Sequence, residues 1–353
     1  MQLGLSESLS ALVARRFIAA KEGGDLVFSQ THLSLITAAG IPYQLRYCPA
    51  LGKKPSNLKP ETTLPRPKFD PFENPSPELL IAHFPPENPS HALVLNKFPV
   101  IPNHFILSTK EWRAQTDLLE KADLEAAYEC LRTWGQDDNT TTGPAPRRLF
   151  AFFNSGEDSG ASQPHRHLQF LPVEAMRQPE TEGWHPLIDV LTAHAQSHPG
   201  SSTFQYLPHL PFAHFALPLP KNPSADTLQS IYISLYCAAV AATEGRDPRQ
   251  GPTEPALSID GPSAISYNLA MTLSTMMIAP RRSETAKIPM DPIAAGDIVD
   301  PGVLSLNGTI LAGTLMVKAE AEWDALRSNP ENLSRVLRDV GFSRVDSYGN
   351  SVL

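Results

Sequence analysis

The chain has 353 residues, a net charge of −8 and an apolar share of 41%. It is long enough for one large core or two smaller ones. Its acidic balance argues against a general nucleic-acid coat, yet local lysines and arginines can still make a pocket for a small polyphosphate.

The spacing of Leu9, Leu12, Val13, Phe17 and Ile18 predicts a helix over residues 7–21, stopped by the glycines at 23 and 24. Residues 41–90 are rich in proline and carry little periodic signal. His91–Lys97 and Asn103–Thr109 read as strands, linked by Phe98-Pro-Val-Ile-Pro102 as a sheet-edge turn. Residues 116–135 predict an amphipathic helix with Leu119, Ala122, Ala126, Cys130 and Trp134 along one stripe.

Leu149–Phe153 and Arg166–Phe170 are the next strands, on either side of a Gly/Ser loop at 154–162. A helix is expected within 174–203, an apolar helix at 224–243 and a mobile surface insertion at 244–263. Ala264–Met271 and Thr275–Ala279 read as one strand pair, Gly302–Leu306 and Gly313–Val317 as another, and a helix pair closes the chain. The 35 prolines, many between short apolar runs, favour short strands over long helical bundles. The fold class is therefore α+β.

Cys48, Cys130 and Cys237 are far apart and lack CxxC spacing, so they read as reduced thiols rather than a disulfide frame or a zinc site. The N-terminus lacks the pattern of a signal peptide, and no run reaches the roughly 18 apolar residues of a membrane span. A cytoplasmic location is expected, with nuclear entry left open, and neither nucleic acid nor membrane is expected as a partner. The oligomeric state is not readable.

Chemistry concentrates in Gln163-Pro-His-Arg-His-Leu-Gln169. On an extended strand His165, His167 and Gln169 share one face, and Arg166, Leu168 and Phe170 the other. Such a strand packs its back on a core and lines a cleft with its front. A neutral imidazole is a good nucleophile at physiological pH. Its attack on an α-phosphate would give a phosphoramidate and split one hard displacement into two. The attacking ring must present a lone pair on one nitrogen, so an acceptor such as a backbone carbonyl should hold the other. Gln169 can donate to a phosphate oxygen without carrying charge. The preceding loop offers backbone N–H groups and the hydroxyls of Ser155, Ser159 and Ser162. Same-face histidines are also frequent zinc ligands; against zinc, Gln169 is a poor third ligand, and there is neither an HExxH motif nor a cysteine partner.

The run Asn154-Ser-Gly-Glu-Asp-Ser-Gly-Ala-Ser-Gln-Pro-His-Arg-His-Leu-Gln169 resembles the signature of the fungal-type diadenosine tetraphosphate phosphorylases, ATP adenylyltransferases of the histidine triad superfamily. Its HxHxQ form is similar to the transferase branch, which includes galactose-1-phosphate uridylyltransferase; the hydrolase branch has a third histidine where Gln169 stands. Gly40–Pro55, Asp70–Pro75, Leu93–His104, Ser266–Thr272, Ile278–Arg282 and Leu304–Lys318 extend the resemblance over most of the chain.

The resemblance implies a histidine triad-like fold, an antiparallel sheet flanked by helices. It implies an N-terminal phosphorylase domain at 1–190, a C-terminal adenylyltransferase domain at 204–325 and a helical tail at 326–353. By it His167 is the nucleophile, with His165 and Gln169 supporting. Contacts to the nucleotide and its phosphates would come from Lys53, Lys54, Asn96, Lys97, Asn154, Gly160, Ala161, Ser162, Gln163, Gln169, Asn307, Gly308, Thr309, Thr314 and Lys318. His104 is expected to be structural, and Arg281 and Arg282 to be solvated.

The implied activity is phosphorolysis of diadenosine tetraphosphate to ATP and ADP, with inorganic phosphate as co-substrate and no required metal, although a magnesium–polyphosphate complex is compatible as substrate. Alternatives are a nucleotidyltransferase for another nucleotide, such as a hexose-1-phosphate uridylyltransferase, and a nucleotide-binding protein without catalysis.

Overall fold

A computed structural model describes residues 3–5, 7–52, 70–136, 147–198, 203–250, 260–289, 302–345 and 351–352. Helix α1 (Leu9–Gly23) starts at Ser8, whose hydroxyl accepts the Ala11 N–H, and ends at Gly24 with φ 81°. Leu9, Leu12, Val13 and Phe17 are buried as the helical spacing predicts, but Ile18 lies on the solvent face at 55% exposure. Strands β1 (His32–Ala38) and β2 (Ile41–Tyr47) form a hairpin across Ala39-Gly40, both at positive φ, the two-residue turn whose twist matches that of the strands. This hairpin overturns the irregular reading from residue 41 onward: Pro42 sits within β2, opposite Thr37.

After a short helix α2 (Pro49–Gly52) come β3 (Leu80–Phe84), β4 (His91–Leu95) and β5 (Phe105–Thr109), then α3 (Lys121–Gln136). Helix α3 starts later than its stripe suggests: the Asp123 carboxylate accepts the Glu120 N–H at 2.8 Å at its start, and before it Ala114–Asp117 closes a turn, the Asp117 N–H donating to the Ala114 oxygen at 3.1 Å. Next are β6 (Leu149–Ser155), β7 (His167–Pro172), α4 (Val173–Met176), α5 (Leu187–Ser197), β8 (Phe215–Pro218) and α6 (Ala225–Thr243). Strands β9 (Tyr267–Met271), β10 (Thr275–Pro280), β11 (Thr285–Lys287), β12 (Val303–Ser305) and β13 (Thr314–Val317) precede α7 (Glu320–Ser328) and α8 (Glu331–Val340). Helix α7 runs across the boundary expected at 325. Part of the insertion expected at 244–263 lies outside the described residues.

Eight strands form one antiparallel sheet in the order β3-β4-β5-β7-β6-β9-β10-β8. The two halves of the chain meet at the β6–β9 ladder, with Ala151 opposite Met271 and Ser155 opposite Tyr267. β12 and β13 do not pair with each other, as the sequence suggested. β12 pairs with β11, and β13 joins β2 in parallel, the one parallel pairing among the described strands. A parallel partner about 270 residues away leaves no local pattern to read.

Strand alternation divides the interior into two cores. On β6, Leu149, Ala151 and Phe153 enter the core under α1, α3 and α6, while Phe150 and Phe152 face the other side. On β7, Leu168 and Phe170 join the first core, and Phe170 stacks on Phe105 at 4.8 Å between ring centres. Each such buried side chain contributes roughly 1.5–3 kcal/mol, so the back of β7 is firmly seated. On the front, α5, α8 and the β1-β2-β13 sheet cover the C-terminal half and leave β4, β5, β7 and β6 to floor an open cleft.

Candidate active site

His167 opens β7 and is 2% exposed. Its Nδ1–H donates to the backbone oxygen of His165 at 2.8 Å. A carbonyl only accepts, so the proton sits on Nδ1 and Nε2 carries the lone pair. Burial pushes this imidazole down to about 4, against a smaller upward pull from the His165 carbonyl, so the ring is neutral at pH 7. This is the state a nucleophile requires.

His165 lies just before the strand, bridged to Ala114 rather than within the β7 ladder. Its Nδ1–H donates to Asp70 Oδ2 at 2.7 Å, and its Nε2 lies 3.0 Å from Thr109 Oγ1 and 3.2 Å from the Glu111 carbonyl. Both nitrogens are thus engaged behind the cleft. Phe72, two residues after Asp70, packs on both histidines, 5.0 Å from His167 and 5.8 Å from His165 between ring centres. Among the described residues no group of three or more His, Cys, Asp or Glu is arranged to hold a metal ion.

Arg166 points to the opposite face, as alternation requires. It is 2% exposed and bonds Asp123 and Glu120, each at 2.9 Å; Asp123 in turn meets His91 at 2.8 Å. The buried part of this cluster, Arg166, Asp123 and His91, ties the motif to α3 and β4.

Gln169 reaches the cleft at the next position on the His167 face. Its Oε1 accepts from His104 Nε2 at 3.1 Å, and His104 Nδ1 accepts from Asn96 Nδ2 at 3.1 Å. Asn96 Oδ1 is itself fixed by the Phe98 N–H at 2.9 Å, so each group in the chain has one orientation. The Nε2 amide of Gln169 is left to donate toward the cleft. His104, pushed down to about 4 by burial, stays neutral as this chain needs. Asn96 therefore acts as cleft wall and as the origin of this chain.

The cleft has two adjoining parts that share Asn96, Phe98, Ser162, Gln163 and Gln169. One, of about 420 Å³, is lined by His167, Lys97, Phe72, Leu79 and Ile106. The other, of about 560 Å³, is lined by Gly160, Asn307, Thr309, Lys318, Phe152 and Met316. Each combines apolar walls with a few polar groups and a lysine, which suits a nucleotide.

Several expected contacts lie elsewhere. Thr314 is fully buried on β13 and accepts from Arg46 Nε at 3.3 Å, outside the cleft. Ser159 is buried and donates its hydroxyl to the Gly156 carbonyl, and Ser155 is buried too, so of the three serines only Ser162 lines the cleft. Gly308 and Asn154 hold each other, the Gly308 N–H donating to Asn154 Oδ1 at 2.8 Å. That leaves the buried Nδ2 of Asn154 unpartnered. Ala161 is half-buried and lines neither part. Lys53 and Lys54 lie outside the described residues.

Arg281 is the main correction, being 2% exposed rather than solvated. It donates to Asn268 Oδ1 at 2.5 Å and to the Leu306 carbonyl at 3.1 Å, while Asn268 Nδ2 donates to Asn154 Oδ1 and the Ser159 carbonyl, each at 2.9 Å. One buried network thus joins the 156–162 loop to the 306–309 loop across the two halves. Their approach is so close that a Cβ at Gly160, where φ is +77°, would lie 2.6 Å from the Leu306 oxygen. His104 has the structural role expected of it, holding Gln169; sequence reading missed Asp70 and Arg281 as site-forming groups because each acts on a partner distant in the chain.

The chain matches the Ap4A phosphorylase N-terminal domain over residues 2–191 and the ATP adenylyltransferase C-terminal domain over residues 208–343. It is 29% identical over 349 residues, 96% of each chain, to diadenosine 5',5'''-P1,P4-tetraphosphate phosphorylase 2 of Saccharomyces cerevisiae. It is 28% identical over 352 residues, again 96% of each, to Protein APA1 of the same yeast. The crystal structure of yeast Ap4A phosphorylase Apa2 superposes with a TM-score of 0.72 at 28% identity, covering 96% of this chain and 98% of that one. Apa2 in complex with Ap4A gives a TM-score of 0.72 at 26% identity, with the same coverage. Since the N-terminal match alone takes in more than half of the chain and the second takes in most of the remainder, this protein belongs to the Ap4A phosphorylase family.

Proposed function

We propose that the protein catalyses the phosphorolysis of diadenosine tetraphosphate to ATP and ADP through adenylyl-His167. The observation that carries this reading is the His167 ring: Nδ1 is held by the His165 carbonyl, burial keeps the ring neutral, and the side chain lines a nucleotide-sized cleft.

Nε2 of His167 attacks one α-phosphorus. A P–N bond forms, the P–O bond to the neighbouring phosphate breaks, and ATP leaves. An oxygen of inorganic phosphate then attacks the same phosphorus, the P–N bond breaks, and ADP leaves with His167 neutral again. Charge developing on the α-phosphoryl oxygens is met by the Gln169 amide, by Ser162 and by the lysine ammonium groups of Lys97 and Lys318. The family resemblance adds Lys53 or Lys54 to the proposed phosphate contacts. Magnesium, where used, travels with the polyphosphate as part of the substrate. A cytoplasmic location is consistent with the free thiols of Cys48, Cys130 and Cys237.

Incubation with diadenosine tetraphosphate and chromatography of the products tests the reading. ADP and ATP in equal amounts, appearing only when phosphate is added, support it. Two ADP, or AMP and ATP, formed without phosphate would mark a hydrolase instead, and exclusive turnover of a sugar nucleotide would mark a different transferase.

A further inference from the structure

The ladder between β6 and β7 runs from Leu149 opposite Pro172 to Phe152 opposite Gln169. Two residues further, the same register would set Asn154 opposite His167, but the backbone pairing stops and a side chain takes its place. Gln115, only 3% exposed, inserts its carboxamide between the strands. Its Oε1 accepts the His167 N–H at 2.7 Å, and its Nε2 donates to the Asn154 carbonyl at 2.7 Å and to the His167 carbonyl at 3.2 Å. One amide thereby substitutes for a peptide group in the sheet. The segment that carries it is itself fixed, the Gln115 N–H donating to the Pro164 oxygen at 2.8 Å and Arg113 accepting the Arg166 N–H at 2.8 Å.

We infer that Gln115 is a positioning residue for the nucleophile: its carboxamide fixes both main-chain groups of His167 and holds β6 and β7 apart where the 156–162 loop leaves the sheet. Gln115 lines neither part of the cleft, so it acts through His167 and not on substrate. The carbonyl that fixes the His167 tautomer belongs to His165, two residues back on the same segment. A shift of the His167 backbone therefore alters both the reach of Nε2 and the bond to Nδ1. In-line attack is sensitive to such shifts, a misplacement of about 1 Å costing on the order of 100-fold in rate. The inference rests on the adenylyl-His167 reading for its kinetic consequence but not for its geometry.

Two full-length variants test it, with wild type run in parallel. Gln115→Met keeps the volume and removes both hydrogen-bonding groups; Gln115→Glu keeps the acceptor for the His167 N–H and loses the donor to Asn154. The rate of adenylyl-enzyme formation is measured in single turnovers over a range of diadenosine tetraphosphate concentrations. Gln115→Met should slow the saturated rate by about 100-fold and leave the half-saturating concentration within about threefold of wild type, with Gln115→Glu between the two. Nitrogen-15 NMR of the His167 ring should show the Nδ1–H tautomer in wild type and a mixture of tautomers in Gln115→Met.

A Gln115→Met rate within about twofold of wild type, or a raised half-saturating concentration at unchanged rate, would overturn the inference. If Gln115→Met shows no cooperative thermal transition, Gln115→Glu decides by the same criteria. If wild type forms no adenylyl-enzyme, it is the functional reading that fails, and the ring tautomers in wild type and variant alone then decide for or against Gln115.

Discussion

The backbone oxygen of His165 lies 2.8 Å from Nδ1 of His167, while the His165 ring donates to Asp70 at 2.7 Å. The residue that orients the nucleophile through its main chain is thus itself oriented through its side chain. Asp70 is the anchor, and its other oxygen accepts the Phe72 N–H at 2.9 Å, which places the Phe72 ring against both histidines.

Removing that anchor should disturb chemistry more than binding. Asp70→Ala leaves a buried imidazole N–H without its charged acceptor, a loss of about 1.5–3 kcal/mol. The expected result is a fall in kcat of roughly 10- to 100-fold, with Asp70→Asn, which keeps an acceptor oxygen, recovering most of it. Steady-state kinetics on both variants check this; equal losses in the two would place the importance of Asp70 in its charge and not in its acceptor.

Acid should destabilise the fold well above the usual carboxylate range. His104, His167 and His214 are each pushed from 6.5 down to about 4 by burial. The unfolded chain therefore takes up protons first as pH falls. Their contribution is fully present above about pH 6.5 and is lost progressively toward pH 4, on the order of 2 kcal/mol per histidine at pH 5. Urea denaturation at pH 7.5 and pH 5 measures the difference. Over the range where the protein stays folded, kcat/KM should show no acid limb near pH 6.5, because His167 is still neutral there.

Two of the C-terminal positions expected to touch the nucleotide, Thr314 and Lys318, should part company. Thr314 is buried beneath Arg46, whereas Lys318 lines the cleft. Thr314→Val should leave KM within about twofold of wild type and lower stability by roughly 1 kcal/mol for the lost hydrogen bond. Lys318→Met should raise KM about tenfold or more through loss of a charged contact. Parallel measurements of KM and thermal midpoint on the two variants make the comparison.

What could be read from sequence follows the range of the interactions. The period of two along residues 166–170 placed Gln169 beside His167 and set Leu168 and Phe170 in the core, because alternation is a local property of extended chain. The helices at α1, α3 and α6 were legible for the same reason. His165 departs from the pattern because its segment bridges Ala114 before the β7 ladder begins. The β1–β2 hairpin was hidden because the chain from residue 41 onward is proline-rich and lacks a periodic signal; here Gly40 completes the turn and Pro42 takes an early strand position. Asp70, Gln115 and Arg281 carry no spacing signal. Their partners are 95, 52 and 13 residues away for His165, His167 and Asn268, and only the closed sheet brings them together. Arg281 in particular looked like half of a solvated charged pair, until β9 and the 306–309 loop enclosed it.

The covalent step on His167 is the centre of this account. Diadenosine tetraphosphate labelled on its α-phosphorus, incubated with the protein without phosphate and then denatured, tests it directly. Acid-labile label should remain on the wild-type chain, be absent from His167→Ala, and leave as ADP when phosphate is added before denaturation. A wild-type chain that retains no label, or a His167→Ala chain that retains as much as wild type, would contradict it.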